Sequence, residues 1–203
     1  MKDIHTDGEV LEAGQNLGEA DKAVIMLHGR GATAHSIIQL HRQLPEAAYL
    51  APQAANREWY PRSFLEPREK NQPHLDSALR KVDELVERCS DKLGKENVYI
   101  LGFSQGACLA SEYMASNPEK YGGLFALSGG LIGDEVREFS GNLEGTPVFL
   151  GCAENDSHIP LERVEESVEV FKGLNGNVEK YVFEGSQHGI VDYEIERMGE
   201  ILK

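Results

Sequence analysis

The segment Gly102–Gly106, with the sequence Gly-Phe-Ser-Gln-Gly, has residue types and a spacing that suggest chemistry. It follows the apolar run Val98–Leu101 and precedes a stretch of small residues typical of a helix. A serine in a sharp turn between a strand and a helix exposes its hydroxyl, and the flanking glycines remove side chains that would collide with neighbouring backbone. The helix N-terminus also favours a developing negative charge. We therefore predict that Ser104 is a nucleophile; an ordinary glycine-rich turn is the alternative.

A serine nucleophile needs a base that removes its proton and a carboxylate that orients this base. In open α/β sheets such groups lie on loops after the carboxyl ends of strands. Asp156 and His188 each follow an apolar run by a few residues, and the order Ser104, Asp156, His188 is the one expected for this architecture. We predict that they are the acid and the base. His158 is the alternative base and Glu154 the alternative acid, since both also lie near a strand end.

The segment Leu27–Gly31, with the sequence Leu-His-Gly-Arg-Gly, follows another apolar run and is a candidate oxyanion-binding loop. Its glycines leave backbone N–H groups free to point inward, and the residue after the nucleophile is geometrically suited to the same role. We predict the backbone amides of Arg30 and Gln105 as the two donors, with His28 as a structural support for the loop. The longer glycine and lysine spacing of a phosphate-binding loop is absent from this segment.

Short apolar runs alternate with amphipathic segments, which predicts a single α/β domain over residues 1–203 with a doubly wound, mostly parallel sheet flanked by helices. No separate lid domain is expected. The predicted strands are Ala23–Leu27, Ala48–Ala51, Val98–Phe103, Leu124–Leu127, Val148–Cys152 and Lys180–Phe183. The predicted helices are Pro73–Leu93, Ala34–Leu44, Gln105–Asn117, Leu161–Leu174 and Ile190–Leu202. A weaker pair of runs, Ile4–Thr6 and Val10–Leu11, is separated by Asp-Gly and suggests an N-terminal hairpin.

Residues 54–72 form the longest stretch without clear periodicity, and long loops in compact domains are usually functional or packed as a cap. We expect Trp59, Tyr60, Phe64 and Leu65 to line a shallow substrate slot; packing of the loop on the sheet is the alternative. Four arginines on candidate rim loops could attract a substrate carboxylate, although a solvated set is the simpler interpretation: Arg30, Arg57, Arg62 and Arg68.

Composition narrows the classes of function. The chain has 203 residues and a formal net charge of −14, which argues against nucleic acid or an anionic membrane as a general partner. The first residues contain no apolar segment typical of a secretory signal, and no apolar run is long enough for stable membrane insertion. Three widely spaced cysteines indicate reduced, buried thiols rather than disulfides or a zinc site. We expect a cytoplasmic protein without a metal.

Several sequence blocks accompany the serine motif along the chain: Leu27–Ala32, Ala51–Ala54, Trp59–Pro61, Leu127–Gly130, Asp156, His158–Pro160 and His188. In this order they resemble the phospholipase/carboxylesterase family of small α/β-hydrolases, which includes the acyl-protein thioesterases. The resemblance covers nearly the whole chain. Where the family often has Asp-x-Asp-Pro, this chain has Glu-Asn-Asp-Ser and keeps the aspartate.

The resemblance implies hydrolysis of carboxylic esters or thioesters through an acyl-enzyme, without a cofactor. Its nucleophile, acid and base correspond to Ser104, Asp156 and His188, and its oxyanion amides to Arg30 and Gln105. The Gly-Arg-Gly segment and the Trp59–Pro61 loop resemble bacterial members of the family. Without a lid domain we expect small-molecule esters with short acyl or small aromatic groups. Acyl-protein thioesterase or lysophospholipase activity is the alternative, and a non-catalytic binding protein on a hydrolase scaffold is a remote one. A homodimer would suit the family.

Overall fold

In the computed structural model, which describes residues 3–203, seven strands form one sheet. The strands are β1 (Val10–Gly14), β2 (Ala23–Leu27), β3 (Ala48–Pro52), β4 (Val98–Phe103), β5 (Gly123–Leu127), β6 (Pro147–Ala153) and β7 (Asn177–Phe183). Their order across the sheet is β1-β3-β2-β4-β5-β6-β7, with β1 antiparallel to β3 and every other neighbouring pair parallel. The predicted mostly parallel α/β sheet is confirmed; residues 1–2 of the predicted domain lie outside the described residues.

Five helices cover the two faces of this sheet. They are α1 (Ala34–Ile38), α2 (His74–Leu93), α3 (Gln105–Ser116), α4 (Leu161–Gly173) and α5 (Asp192–Ile201). Helices α2, α3 and α4 pack on one face, and α1 and α5 pack on the other, so that there are two apolar clusters, one on each side. Strands β2, β3 and β5 are buried along their whole length, as expected of strands covered on both faces.

The predicted N-terminal hairpin is wrong. Strand β1 pairs with β3 at the edge of the sheet, and residues 4–6 form no strand. Instead His5 is completely buried: its backbone N–H donates to Ser77 Oγ at 2.9 Å, and its Nε2 lies 3.0 Å from the carbonyl oxygen of Trp59. These contacts hold His5 against α2 and the loop after β3, so residues 4–6 are not available to pair with β1.

Apart from this hairpin, two elements have bounds that differ from the prediction by three or more residues, whereas the others agree within two. The helix predicted over 34–44 is α-helical only to Ile38 and continues as a 3-10 helix over Gln39–Gln43. It ends before Leu44, which is extended because Pro45 disfavours a helical conformation at the preceding residue. Strand β7 begins at Asn177 rather than Lys180. It is the edge strand and is at most partly buried, and its first half, Asn-Val-Glu-Lys, has a single apolar residue and therefore no apolar run to predict it.

The register of the parallel strands brings their carboxyl ends to one edge of the sheet. Phe103 of β4 pairs with Leu127 of β5, and Ala153 of β6 pairs with Phe183 of β7. The loops that follow these strands therefore start side by side. This edge is where the predicted acid, base and nucleophile must meet.

Candidate active site

Ser104 occupies the sharp turn between β4 and α3, with φ 54° and ψ −119°, a conformation that is strained for a residue with a side chain. The surrounding backbone leaves no room for side chains at two neighbouring positions. A Cβ atom at Gly102 would lie 2.2 Å from the carbonyl oxygen of Gly106, and one at Gly106 would lie 2.1 Å from that of Leu27. The Gly-x-Ser-x-Gly spacing thus follows from close packing of strand, turn and helix.

The three side chains predicted to act together form one hydrogen-bonded chain. His188 Nε2 lies 2.8 Å from Ser104 Oγ, and His188 Nδ1 lies 2.7 Å from Asp156 Oδ2. The Asp156 side chain is completely buried, and its other oxygen accepts the backbone N–H groups of His158 at 2.8 Å and Ile159 at 3.1 Å. With the carboxylate accepting from Nδ1–H, the Nε2 lone pair faces the serine hydroxyl, which is the arrangement a general base needs.

The electrostatics of Asp156 favour its ionised form. Burial raises the pKa of this carboxyl, but hydrogen bonds from His188 and from the backbone amides of His158 and Ile159 outweigh burial, and the net pKa lies below the ordinary value. Asp156 is therefore a carboxylate at neutral pH. It can orient the imidazole and stabilise the imidazolium that forms when the base takes a proton.

The two alternative residues occupy different places. The His158 ring lies beside the His188 ring, with 4.7 Å between ring centroids and an edge-on orientation, and it makes no hydrogen bond to Ser104. The Glu154 side chain is exposed, and its backbone N–H donates to the carbonyl oxygen of Phe183. The geometry thus favours His188 over His158 and Asp156 over Glu154.

The backbone amides predicted as oxyanion donors belong to two residues that line the same cleft as Ser104. Across residues 3–203, neither the Arg30 N–H nor the Gln105 N–H has a protein acceptor within hydrogen-bond distance. The Gln105 amide is at the first position of α3, where helical N–H groups lack partners within the helix. Both donors are therefore free to bind an anion that forms next to Ser104 Oγ.

His28 fixes the loop that carries Arg30, in agreement with its predicted structural role. The side chain is completely buried; Nδ1–H donates to the carbonyl oxygen of Gly29 at 2.8 Å, and Nε2 accepts the Ala54 backbone N–H at 3.1 Å. Burial lowers the pKa of His28, so the neutral tautomer that these contacts require is favoured. The imidazole thus connects the loop after β2 to the loop after β3.

A second set of contacts, which the sequence did not reveal, holds the wall of the cleft. The guanidinium of Arg30 donates to Glu58 Oε2 at 2.7 Å and to the carbonyl oxygens of Tyr60, Pro61 and Arg62 at 2.7, 3.1 and 2.7 Å. The Gln105 side chain accepts the Trp59 N–H and donates to Tyr60 O. No local sequence pattern signals these bonds because they join residues 28 to 46 positions apart.

The cleft has a volume of about 330 Å³ and is lined by two of the four residues predicted for the substrate slot, Tyr60 and Phe64. Trp59 is instead completely buried, with its Nε1–H donating to the carbonyl oxygen of His28 at 2.9 Å. Leu65 is partly buried against the core and does not line the cleft. The structure adds lining residues that the sequence did not single out for this role: Ser63, Cys108, Ile159 and His158.

Within residues 3–203, no cluster of three or more His, Cys, Asp or Glu side chains could hold a metal ion. The three cysteines, Cys89, Cys108 and Cys152, are buried free thiols. None of the helices in this part of the chain combines the length and the apolar character needed to cross a bilayer.

Comparison with known families gives a result that matches this geometry. The model of the phospholipase/carboxylesterase family matches residues 9–203. The chain belongs to this family. A crystal structure of a phospholipase/carboxylesterase from Dyadobacter fermentans is 44% identical in sequence, covers 97% of both chains and has a TM-score of 0.93. The carboxylesterase of Bacillus cereus, 18% identical and covering 96% of this chain and 93% of its own, has a TM-score of 0.78 and shows the shared fold alone.

Curated relatives in the family include proteins named acyl-protein thioesterase 1. The one from Saccharomyces cerevisiae is 30% identical over 137 residues, which are 63% of this chain and 58% of that protein. The matches to its namesakes in Kluyveromyces lactis and Gibberella zeae cover 45% and 48% of those proteins. The chain thus matches only about half the length of these curated relatives.

Proposed function

We propose that this protein is a serine carboxylesterase that cleaves carboxylic esters with short acyl or small aromatic groups through an acyl-enzyme. The observation that carries the proposal is the hydrogen-bonded chain from Ser104 Oγ through His188 to Asp156, at 2.8 and 2.7 Å. This hydrogen-bonded chain ends at a cleft that is also lined by Arg30 and Gln105, whose backbone amides have no acceptor among residues 3–203. Nucleophile, base, orienting acid and anion donors are the parts that acyl transfer requires.

The proposed acylation step uses each of these groups. His188 Nε2 accepts the hydroxyl proton as Ser104 Oγ bonds to the carbonyl carbon, and the carbonyl π electrons move onto oxygen. The amides of Arg30 and Gln105 bind this oxyanion, and one such donor contributes roughly 10²–10³-fold in kcat. When the tetrahedral intermediate collapses, the bond to the leaving oxygen breaks and the imidazolium of His188 gives its proton to the leaving alcohol.

Deacylation repeats the sequence with water. His188 removes a proton from a water molecule, the hydroxide attacks the acyl carbon, and the bond to Ser104 Oγ breaks as the serine regains its proton. The Asp156 carboxylate stays ionised throughout and stabilises the imidazolium in both half-reactions. The products are the carboxylic acid and the alcohol, and Ser104 and His188 return to their starting protonation states.

The size of the cleft supports small substrates. At about 330 Å³ it is at the lower end of small-molecule sites, and its apolar lining comes from Tyr60, Phe64 and Ile159. A thioesterase is the second candidate, and it is favoured by the relatives named acyl-protein thioesterase 1. The same site could hydrolyse a thioester, since only the leaving atom changes.

The test of the proposed nucleophile compares Ser104→Ala with Ser111→Ala. Ser111 lies on α3, the helix that follows Ser104, and its buried hydroxyl has no hydrogen-bond partner in the described part of the chain, so its loss should leave activity unchanged. Ser104→Ala should lower kcat on p-nitrophenyl acetate by several orders of magnitude, as in other serine hydrolases (about 10⁴–10⁶-fold). It should also abolish labelling by a fluorophosphonate. A Ser104→Ala protein with the wild-type rate would overturn the proposal.

The leaving group can be tested with matched substrates. Phenyl and thiophenyl esters of acetate, butyrate, octanoate and palmitate separate acyl length from the identity of the leaving atom. We expect kcat/KM to fall beyond butyrate for the wild-type enzyme. A steady rise from acetate to palmitate would reject the short-acyl assignment, and a preference for sulfur across the series would favour the thioesterase.

A further inference from the structure

The charged side chains around the cleft differ from those of the whole chain. The chain carries 34 acidic and 20 basic residues, and its formal net charge is −14. In the part of the chain that the structure describes, the cleft is lined by two arginines and two histidines and by no aspartate or glutamate. The acid of the candidate triad lies beneath the cleft with a completely buried side chain. The side chains that line the cleft therefore include no carboxylate, in contrast to the acidic composition of the chain as a whole.

The four arginines near the rim differ in what they bind. Arg30 is neutralised by Glu58 and fills its other donors with backbone carbonyls. Arg68 forms an ion pair with Glu112, whose side chain is completely buried. Arg57 is exposed but does not line the cleft. These three therefore offer no available charge inside it.

Arg62 is the exception. Its backbone is fixed on both sides, because its N–H donates to Asn71 Oδ1 at 2.8 Å and its carbonyl oxygen accepts from Arg30 at 2.7 Å. Its side chain is exposed and lines the cleft, and among residues 3–203 its guanidinium has neither an ion pair nor a hydrogen bond. A guanidinium on a backbone fixed in this way offers a fork of donors suited to a carboxylate.

We propose that Arg62 is a specificity residue that binds a carboxylate on the substrate, so that this protein prefers short esters bearing a carboxylate over neutral esters of the same shape. The inference rests on the proposed ester hydrolysis, and it adds the charge of the substrate. The net negative charge of the protein opposes such a substrate at long range, but at physiological ionic strength the screening length is about 8 Å. The nearby Arg62 therefore decides the interaction.

The experiment uses two substrate pairs that place the charge on opposite sides of the scissile bond. For charge on the leaving group, 4-acetoxybenzoate is compared with 4-acetoxybenzamide. For charge on the acyl group, mono-p-nitrophenyl adipate is compared with methyl p-nitrophenyl adipate, in which the free carboxylate is a methyl ester. For each pair, the ratio of kcat/KM for the anionic and neutral members is measured in the wild type, Arg62→Gln and Arg57→Gln. Differences in leaving-group reactivity cancel when the variants are compared with the wild type.

We expect the ratio to fall about five- to tenfold in Arg62→Gln for at least one pair, as for loss of a partly exposed charged hydrogen bond. Turnover of the neutral ester should be retained, which shows that the variant is folded. Arg57→Gln removes the same charge from the same loop outside the cleft and should leave the ratio unchanged. A ratio within twofold of the wild type for both pairs in Arg62→Gln would overturn the proposal while ester hydrolysis stands. Loss of turnover for all four esters in the wild type would instead overturn the proposed function.

Discussion

Glu194 is an unusual buried acid, and it makes the stability of the protein depend on pH in a direction that can be calculated. Its side chain on α5 is completely buried, one oxygen accepts the Val191 N–H at 2.9 Å, and the other has no hydrogen-bond partner among the described residues. The carboxyl lies directly over β6, where a Cβ atom at Gly151 would be 1.9 Å from it. Burial raises the pKa of Glu194 from 4.5 to about 7.

The sign of the effect follows from proton binding. Between these two pKa values the folded protein keeps a proton on Glu194 that the unfolded chain has lost, so the free energy of unfolding falls as the pH rises. The stabilisation is fully present below pH 4.5 and is lost as the pH rises through about 7. The shift corresponds to about 3 kcal/mol in total, of which about 2.5 kcal/mol falls between pH 5 and pH 8. The nearby Cys152 thiol does not titrate in this range, because burial raises its pKa to about 12.

The assay is urea unfolding of the wild type and Glu194→Gln at pH 5 and pH 8. Glutamine keeps an oxygen to accept the Val191 N–H and is neutral at both pH values, so contributions from all other groups cancel in the comparison. We expect the free energy of unfolding of the wild type, relative to that of Glu194→Gln, to decrease by about 2.5 kcal/mol from pH 5 to pH 8. Glu196→Gln, an exposed site on the same helix, is the control and should show no such change. A difference that is equal at both pH values, within about 0.5 kcal/mol, would refute the buried-acid argument.

Two further predictions concern the architecture around the cleft. Arg30→Ala keeps the backbone amide but removes four hydrogen bonds to residues 58–62. We therefore expect kcat/KM on p-nitrophenyl acetate to fall about tenfold and the urea midpoint of unfolding to decrease. An unchanged kcat/KM would show that the side chain does not position the cleft wall. Gly106→Ala would place a Cβ atom 2.1 Å from the Leu27 carbonyl oxygen and should destabilise the fold by more than about 4 kcal/mol in thermal unfolding, whereas Gly173→Ala, with nothing within 4 Å, should be neutral or stabilising. Equal melting temperatures for the two glycine variants would contradict the steric explanation.

Much of the fold could be predicted because its strands are buried on both faces. Runs such as Ala23–Leu27 and Val98–Phe103 are continuously apolar, and their observed bounds agree with the prediction. The position of Ser104, Asp156 and His188 after such runs also predicted that they would meet, since parallel strands bring their carboxyl ends to one edge. The structure places them within hydrogen-bond distance of one another.

The segments that could not be predicted are those whose conformation depends on distant partners. His5 is buried by contacts to Ser77 and Trp59, which are 72 and 54 positions away, and no local periodicity encodes them. The same applies to Trp59, an aromatic residue on a long loop of the kind that often lines binding sites, which instead packs in the core against the rings of His5 and His28. Loop residues of this kind are determined by tertiary packing rather than by local pattern.

The two residues proposed to supply the oxyanion donors also hold the wall of the cleft, and this has a mechanical consequence. The Arg30 side chain binds the carbonyl oxygens of residues 60–62, and the Gln105 side chain binds both Trp59 and Tyr60. A displacement of this loop therefore pulls on the two residues whose backbone amides we propose as the oxyanion donors. In the proposed mechanism, substrate binding against Tyr60 and stabilisation of the transition state are linked through the same two side chains. For this reason a change in the cleft wall should alter kcat as well as KM, even where it touches no atom of the hydrogen-bonded chain.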